Sequence, residues 1–292
     1  MNFTEQEVME YVRQEDVRFI RLAFCDVFGK QKNIAVMPSE LERAFRQGIA
    51  IDASAIAGFG GEVRSDLFLH PDPGTLASLP WRGENGKVVR MFCEVAYPDG
   101  TTLETDSRAL LKKAVERAAA LGVRFAFGTE MEFYLFKTDE EGEPTRIPYD
   151  RASYMDIAPR DKGENVRREI CITLEQMGVQ PECSHHEEGP GQNEIDFRYA
   201  DPVTAADNAI MFRSVVKAIA AQNGLWADFS PRPLPEHDGS GMHVNMSLSK
   251  DGKNAFCDPA DPEGLSQTAY QFMAGVLAHI RGIVAITNPL VN

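Results

Sequence analysis

Apolar positions first recur at helical spacing in Val8, Tyr11 and Val12, behind Thr4 and Glu7, whose three-residue separation reads as a capping box. The pattern then shifts to β-rich runs, 19–26 and 32–36, joined by Val27-Phe28-Gly29-Lys30 and predicted to form a hairpin. A second capping box, Ser39 with Glu42, precedes the stripe Leu41, Ala44 and Phe45 and the stop signal Gly48. Strands are predicted over 65–69 and 88–97, on either side of a Pro- and Gly-rich stretch, so the first hundred residues read as a small sheet with one or two helices. Pro98-Asp99-Gly100 is a strong turn signal and divides the chain into domains 1–100 and 101–292. Beyond it, 107–121 is predicted helical with Leu110, Leu111, Ala114, Val115 and Ala118 facing inward. Longer helical patterns at 161–177, 202–223 and 262–286 each follow a strand-like block, and the chain as a whole reads as α+β.

Composition narrows what such a chain does. Its 292 residues are 43% hydrophobic and 25% charged, enough to bury a core. Forty-four acidic against thirty basic residues give a charge of −14, the wrong sign for tracking a nucleic-acid backbone or an anionic membrane surface. Five cysteines without a C-x-x-C pair argue against a disulfide scaffold and a cysteine zinc site, and favour a reducing compartment. The N-terminus lacks the pattern of a signal peptide, and the apolar stretch 274–286 is interrupted by His279 and Arg281. The expectation is a cytoplasmic protein with no membrane partner.

Three segments carry candidate chemistry. In V-R-F-A-F-G-T-E-M-E-F-Y-L-F (123–136), strand alternation puts Glu130 and Glu132 on one face, ~7 Å apart. Two such carboxylates repel in a dry space, so a cation beside them is the natural compensation. In a second cluster, Glu182 to Arg198, Glu187 precedes a Gly-Pro-Gly turn and Glu194 opens a new strand, so both carboxylates can converge from opposite sides of one turn. His185 and His186 do not read as a zinc pair: adjacent residues of an extended chain face opposite ways, and no third nitrogen ligand is spaced to join them. In the third, D-G-S-G-M-H-V-N-M-S-L (238–248), His243, Asn245 and Ser247 share a face, while Met242, Val244, Met246 and Leu248 are expected in the core. Oxygen-rich ligation with one imidazole suits Mg²⁺ or Mn²⁺ better than zinc or copper. Metal-assisted phosphoryl chemistry and metal-assisted hydrolysis both remain open on this reading.

At these residues the chain resembles the glutamine synthetase family. G-T-E-M-E-F-Y-L-F (128–136), H-H-E-E-G-P-G-Q-N-E-I (185–195), S-P-R-P-L (230–234) and D-G-S-G-M-H (238–243) occur in the family's order, and N-P-L-V-N (288–292) resembles the start of a further segment. The resemblance implies an N-terminal β-grasp domain, a catalytic α/β domain, and a homo-oligomer with active sites between subunits. It implies ATP-dependent joining of ammonium to glutamate through γ-glutamyl phosphate, with two metal positions: Glu132, Glu187 and Glu194 at one, Glu130 and His243 at the other. Glu182, Asn245 and Ser247 match nucleotide-contacting positions, Asp238 and Gly239 lie in the glutamate-binding segment, and Asp52 matches an aspartate that binds and deprotonates ammonium in a neighbouring subunit. Asp238 stands where Asn is usual and Asn245 where His is common, which leaves room for a γ-glutamyl ligase using another amine; a non-catalytic assembly protein on the same fold is the third reading. The family's later arginines lie beyond Asn292, so these 292 residues alone are expected to be inactive.

Overall fold

A computed structural model describes residues 3–59, 66–81 and 86–288; of the 288–292 motif only Asn288 falls among them. The chain divides into two compact units that do not follow a single cut: 1–112 with 165–181 and 207–224, and 113–164 with 182–206 and 225–292.

The first unit is built on a six-stranded sheet. Helix α1 (Glu5–Gln14) starts with the expected capping box, Thr4 and Glu7 satisfying each other's backbone amides. Strands β1 (Val17–Cys25) and β2 (Gln31–Val36) form the predicted antiparallel hairpin. The second capping box does not form. Pro38 opens a short 3₁₀ turn that takes Ser39 inside it, and helix α2 (Leu41–Gln47) begins without a side-chain cap. Then come β3 (Ile49–Asp52), β4 (Asp66–Pro71), the two-residue β5 (Ala77–Ser78) and β6 (Lys87–Ala96), in the order β2-β1-β6-β4-β3 with β5 also on β6. The β1–β6 pair is parallel and central. Ile20, Leu22, Leu67, Leu69, Val89 and Met91 are fully buried in its core, together with Val8 of α1 and Ala44 of α2.

Helix α3 (Ser107–Ala120) forms where expected: Leu111, Val115 and Ala118 of the predicted inward set are half-buried and Ala109 is buried, while Leu110 and Ala114 point to solvent. Two cations hold it in that orientation. Arg108 bonds Asp207 at 2.9 and 3.1 Å and Asp72 at 2.8 Å, and Lys112 pairs with Asp72 and Glu94. Two further helices, α4 (Glu164–Gln176) and α5 (Pro202–Gln222), give most of their length to this unit, and Ser214 of α5 donates to Gln31 of β2 at 2.7 Å.

The second unit is organised by β7 (Val123–Thr138), whose 16 residues pair with four other strands. Around it lie β8 (Pro144–Pro148), β9 (Pro181–His186), β10 (Gln192–Phe197), β11 (Leu225–Asp228), β12 (Met242–Lys250) and the short β13 (Lys253–Asn254), with the main order β13-β12-β7-β10-β9. Met131, Phe133 and Leu135 are buried on one face of β7, as alternation requires. The same rule fails for β12: Met242, Val244 and Met246 are exposed, and only Leu248 is buried. Phe272 packs on Phe125, the β7 partner of Leu248, and so covers that end of the face but not the end with Met242, Val244 and Met246. Helix α6 (Gln267–Thr287) likewise leaves Met273, Leu277, Ile280 and Val284 exposed at spacings of four, three and four. It is long and apolar enough to cross a membrane by length and composition alone; the four residues make one stripe, and Ile286 is exposed off it.

Candidate metal and nucleotide site

The register around β7 assembles the second unit's acidic side chains. Glu132 lies directly opposite Glu194 of β10, and Glu130 lies opposite both Asp196 of β10 and His243 of β12. Residues directly opposite in a ladder project to the same face, so Glu132 and Glu194 share a face, as do Glu130, His243 and Asp196.

At one end, Glu187 and Glu194 flank His185, whose two ring nitrogens are each 3.3 Å from one of their carboxylates. These three side chains form a group able to hold a cation. His185 thus joins the candidate ligands, although adjacency to His186 had argued against the pair. That argument holds for the pair: His186 turns away and is fully buried, with Nε2 2.8 Å from Asp150 and Nδ1 2.6 Å from the main-chain oxygen of Glu187. Asp150 also accepts backbone N–H groups from Gly191, Ala152 and Lys162. Asp150, Asp161 and His186 form a second, fully buried group with metal-like spacing. Its donors are already engaged with one another and with backbone, which makes the Asp150–His186 pair a brace for the turn carrying Glu187.

Electrostatics mark the first end as crowded. Burial, a hydrogen bond shared with Glu187 and the nearby charges of Asp196, Glu132 and Glu187 push Glu194 up to about 8. Glu132 is also raised, by burial first and by Glu187, against the pull of the Gly241 backbone contact, His243 and Gln192. Four acidic side chains held this closely fit an oxygen-ligated divalent ion, which would replace mutual repulsion by attraction.

Gln192, not singled out from sequence, orients Glu132. Its Nε2 donates to Glu132 Oε2 at 2.6 Å and to the main-chain oxygen of Gly239 at 3.0 Å, linking β7, β10 and the loop 238–241. Tyr134 donates to the main-chain oxygen of Asp238 at 2.6 Å. Two glycines let this loop approach closely. A Cβ on Gly239 would stand 2.7 Å from the Pro231 oxygen, and one on Gly241 would stand 2.5 Å from Glu132 Oε1. Asp238 has an exposed side chain.

At the other end, His243 Nδ1 is 3.5 Å from Glu130 Oε2, and Asn245 donates to Glu130 Oε1 at 2.6 Å. Glu130 also edges a cavity of about 260 Å³ whose lining includes Glu182, Asp196, Tyr199, Asn245 and Ser247. The three positions matched to nucleotide contacts therefore border one space, next to the Glu130–His243 pair. Asp196 is an addition to the sequence reading: its Oδ2 accepts from Cys183, while its buried Oδ1 has no hydrogen-bond partner. Of the predicted residues, Asp52 alone lies in the first unit. Its exposed side chain accepts the Ser54 amide at 2.9 Å and caps a 3₁₀ turn.

Comparison with known proteins gives a consistent family. A model of the glutamine synthetase β-grasp domain matches residues 16–98, and one of the glutamine synthetase catalytic domain matches residues 104–292. Proteins named glutamine synthetase from Clostridium saccharobutylicum and Staphylococcus aureus are each 49% identical over 99% of this chain, covering 66% and 65% of their own lengths. The chain therefore spans just under two thirds of the curated relatives it matches. Among solved structures, a GmaS/ADP complex superposes with a TM-score of 0.89 at 28% identity, over 100% of this chain and 66% of that one. Plasmodium falciparum glutamine synthetase superposes with a TM-score of 0.88 over 98% of this chain and 62% of that one; at 23% identity it speaks to the fold alone.

Proposed function

This chain belongs to the glutamine synthetase family, and we propose that, as part of a protein of its relatives' length, it joins ammonia to L-glutamate at the expense of ATP. The glutamate γ-carboxylate attacks the γ-phosphorus of ATP and releases ADP; ammonia then attacks the γ-carbonyl of the acyl phosphate, phosphate leaves, and one proton is lost to a base. The observation that carries this reading is the paired register of Glu132 with Glu194 and of Glu130 with His243, beside a cavity bordered by Glu182, Asn245 and Ser247.

Glu132, Glu187 and Glu194 would hold one Mg²⁺ or Mn²⁺, and Glu130 with His243 a second; such ions supply positive charge to the transferring phosphoryl group. Gln192 fixes the Glu132 carboxylate in place, and the Asp150–His186 brace fixes the backbone of Glu187. The loop with Asp238 and Gly239 would take the glutamate, and its approach to Glu132 needs glycine at 241. The named ADP complex of GmaS, a protein of the same fold, supports a nucleotide in the Glu130-side cavity. Asp52 would serve a neighbouring copy in a homo-oligomer, where a carboxylate attracts ammonium and accepts its proton. We read the protein as cytoplasmic, with no nucleic-acid or membrane partner, and the apolar stripes of β12 and α6 as protein-packing faces.

The exposed carboxylate of Asp238 favours a second reading, a γ-glutamyl ligase acting on a cationic amine. Phosphate release from ATP and glutamate decides between them when ammonium, small amines and no acceptor are compared in a full-length protein. Ammonium-dependent release supports the first reading, amine preference the second, and release with no acceptor-dependent increment refutes both. The 292-residue chain assayed alongside is expected to form no glutamine.

A further inference from the structure

The face of β7 that carries Glu130 and Glu132 continues to Tyr134, which is fully buried and lies directly opposite Gln192 of β10, one rung beyond Phe133 and Asn193. Its ring stacks on Phe136, with centroids 5.8 Å apart and planes 12° from parallel, which fixes where the hydroxyl stands. The Gly-Pro-Gly turn makes room for it: a Cβ on Gly189 would lie 2.0 Å from the hydroxyl and 2.7 Å from Gln192 Oε1. Gly189 is not among the glycines in the left-handed region, so close approach and not backbone conformation requires glycine there.

From that position the hydroxyl reaches the loop 238–241. It donates to the Asp238 main-chain oxygen at 2.6 Å, with a longer arm of 3.2 Å to Gln192 Oε1. The Gln192 amide is itself fully committed: Oε1 accepts the Gly189 N–H at 2.9 Å, and Nε2 donates to Glu132 Oε2 and to the Gly239 oxygen. Reversing that amide would set its oxygen against a carboxylate, so the network fixes its orientation. The loop has no helix or strand of its own, and Asp238 and Gly239 are exposed. Apart from these two side-chain bonds, its main chain is tied by the Ser240 N–H to the Pro231 oxygen at 2.8 Å and by the Glu132 N–H to the Gly241 oxygen at 3.1 Å. Tyr134 makes the shortest of these bonds, at the Asp238 end of the loop.

We propose that Tyr134 is a positioning residue for the amino-acid substrate: its hydroxyl holds the Asp238 end of the loop in register with Glu132, and so places the glutamate that the loop takes. The identity of that substrate rests on the ligase reading, whereas the anchor rests on the hydrogen bonds alone. A phenylalanine would fill the same core space and lack only the donor. Without it the Asp238 oxygen turns to water, and the loop keeps its tie to Glu132 only through Gln192 and Gly241. All of these residues belong to the second unit.

Tyr134→Phe removes the hydroxyl and keeps the ring. In a full-length protein, with ADP formation followed at saturating ATP and ammonium, KM for glutamate should rise about five- to tenfold, the scale of one neutral hydrogen bond. In the same variant kcat should stay within about threefold of the parent and Mn²⁺ affinity, by equilibrium dialysis, within about twofold, because Gln192 still holds Glu132. A tyrosine that served only the core would move all three together. Amide exchange over 237–241, read on the bonded His237 and Ser240 amides, should quicken about fivefold or more while that of β7 is unchanged. A glutamate KM within about twofold of the parent, a Mn²⁺ affinity that falls as far as the glutamate KM rises, or unaltered exchange over 237–241 overturns the proposal. If the parent itself shows no glutamate-dependent turnover, the ligase reading falls, and the exchange measurement alone then decides whether Tyr134 anchors the loop.

Discussion

The His186 imidazole lies 2.8 Å from the Asp150 carboxylate with both side chains buried, and its other nitrogen contacts the main-chain oxygen of Glu187. Breaking such a pair leaves an uncompensated buried group, so Asp150→Ala should cost about 3–5 kcal/mol by urea denaturation. Its pH dependence has a defined sign. Burial raises Asp150, but the bonds from His186 and the Lys162 amide outweigh it and lower the carboxyl below 3.8. That contribution is present above the unfolded value and lost as pH falls through the folded one. Burial lowers His186, but Asp150 outweighs it and raises the imidazole above 6.5. That contribution is present below the unfolded value and lost as pH rises through the folded one. The gap between parent and Asp150→Ala should therefore be widest between roughly pH 4 and 6.5, and a gap that grows steadily above pH 8 would contradict the pairing.

Gly241→Ala tests the loop's approach to the acidic strand. The new Cβ would fall 2.5 Å from Glu132 Oε1 and 3.0 Å from the His243 ring, so the carboxylate must turn away from Gln192. Mn²⁺ affinity, measured by equilibrium dialysis, should fall ~10–100-fold, as for loss of a ligand's supporting contact. Unchanged affinity would mean that Glu132 is not held where the metal binds.

Glu194→Gln should separate stability from binding. A carboxyl pushed up to about 8 takes up a proton on folding at neutral pH, and Gln removes the cost of that protonation, so the metal-free protein should gain on the order of 1–2 kcal/mol, less than the full shift implies because water reaches part of the site. Mn²⁺ binding should weaken by more than tenfold in the same variant. A variant that loses stability and keeps its metal would refute both parts.

Much of this site is visible in the sequence because β7 obeys a period of two: Glu130 and Glu132 fall on one face and Met131 and Phe133 on the other. Alternation does not reveal which strand lies alongside. The pairing of Glu132 with Glu194 and of Glu130 with His243 is long-range, and so is the Gln192 bridge. The failures have the same origin. Met242, Val244 and Met246 read as core because alternation assigns a face without saying what covers it. Leu110 read as inward because apolar periodicity is blind to Arg108, whose ion pairs with Asp72 and Asp207 hold the helix in its orientation.

Asp52→Asn keeps the oxygen that caps the Ser54 amide, so neither folding nor Mn²⁺ binding should change. In a full-length protein, ammonium-dependent glutamine formation should drop by at least the ~10² typical of losing a positioned base, measured at saturating ATP and glutamate. An unaltered ammonium response would remove Asp52 from the reaction.

The first unit also carries a constraint on the order of events during synthesis. Ser214 meets Gln31 across 183 residues, and Arg108 meets Asp207 across 99. Its strands leave the ribosome early, but the helical segments 165–181 and 207–224 that belong to the same unit emerge only after the long β7 strand has been made. At ~5–20 residues per second, the interval between β6 and the end of α5 is ~6–25 s. Through that time the sheet face bearing Arg21 and Arg90, which α5 later faces through Met211 and Ser214, has to wait uncovered.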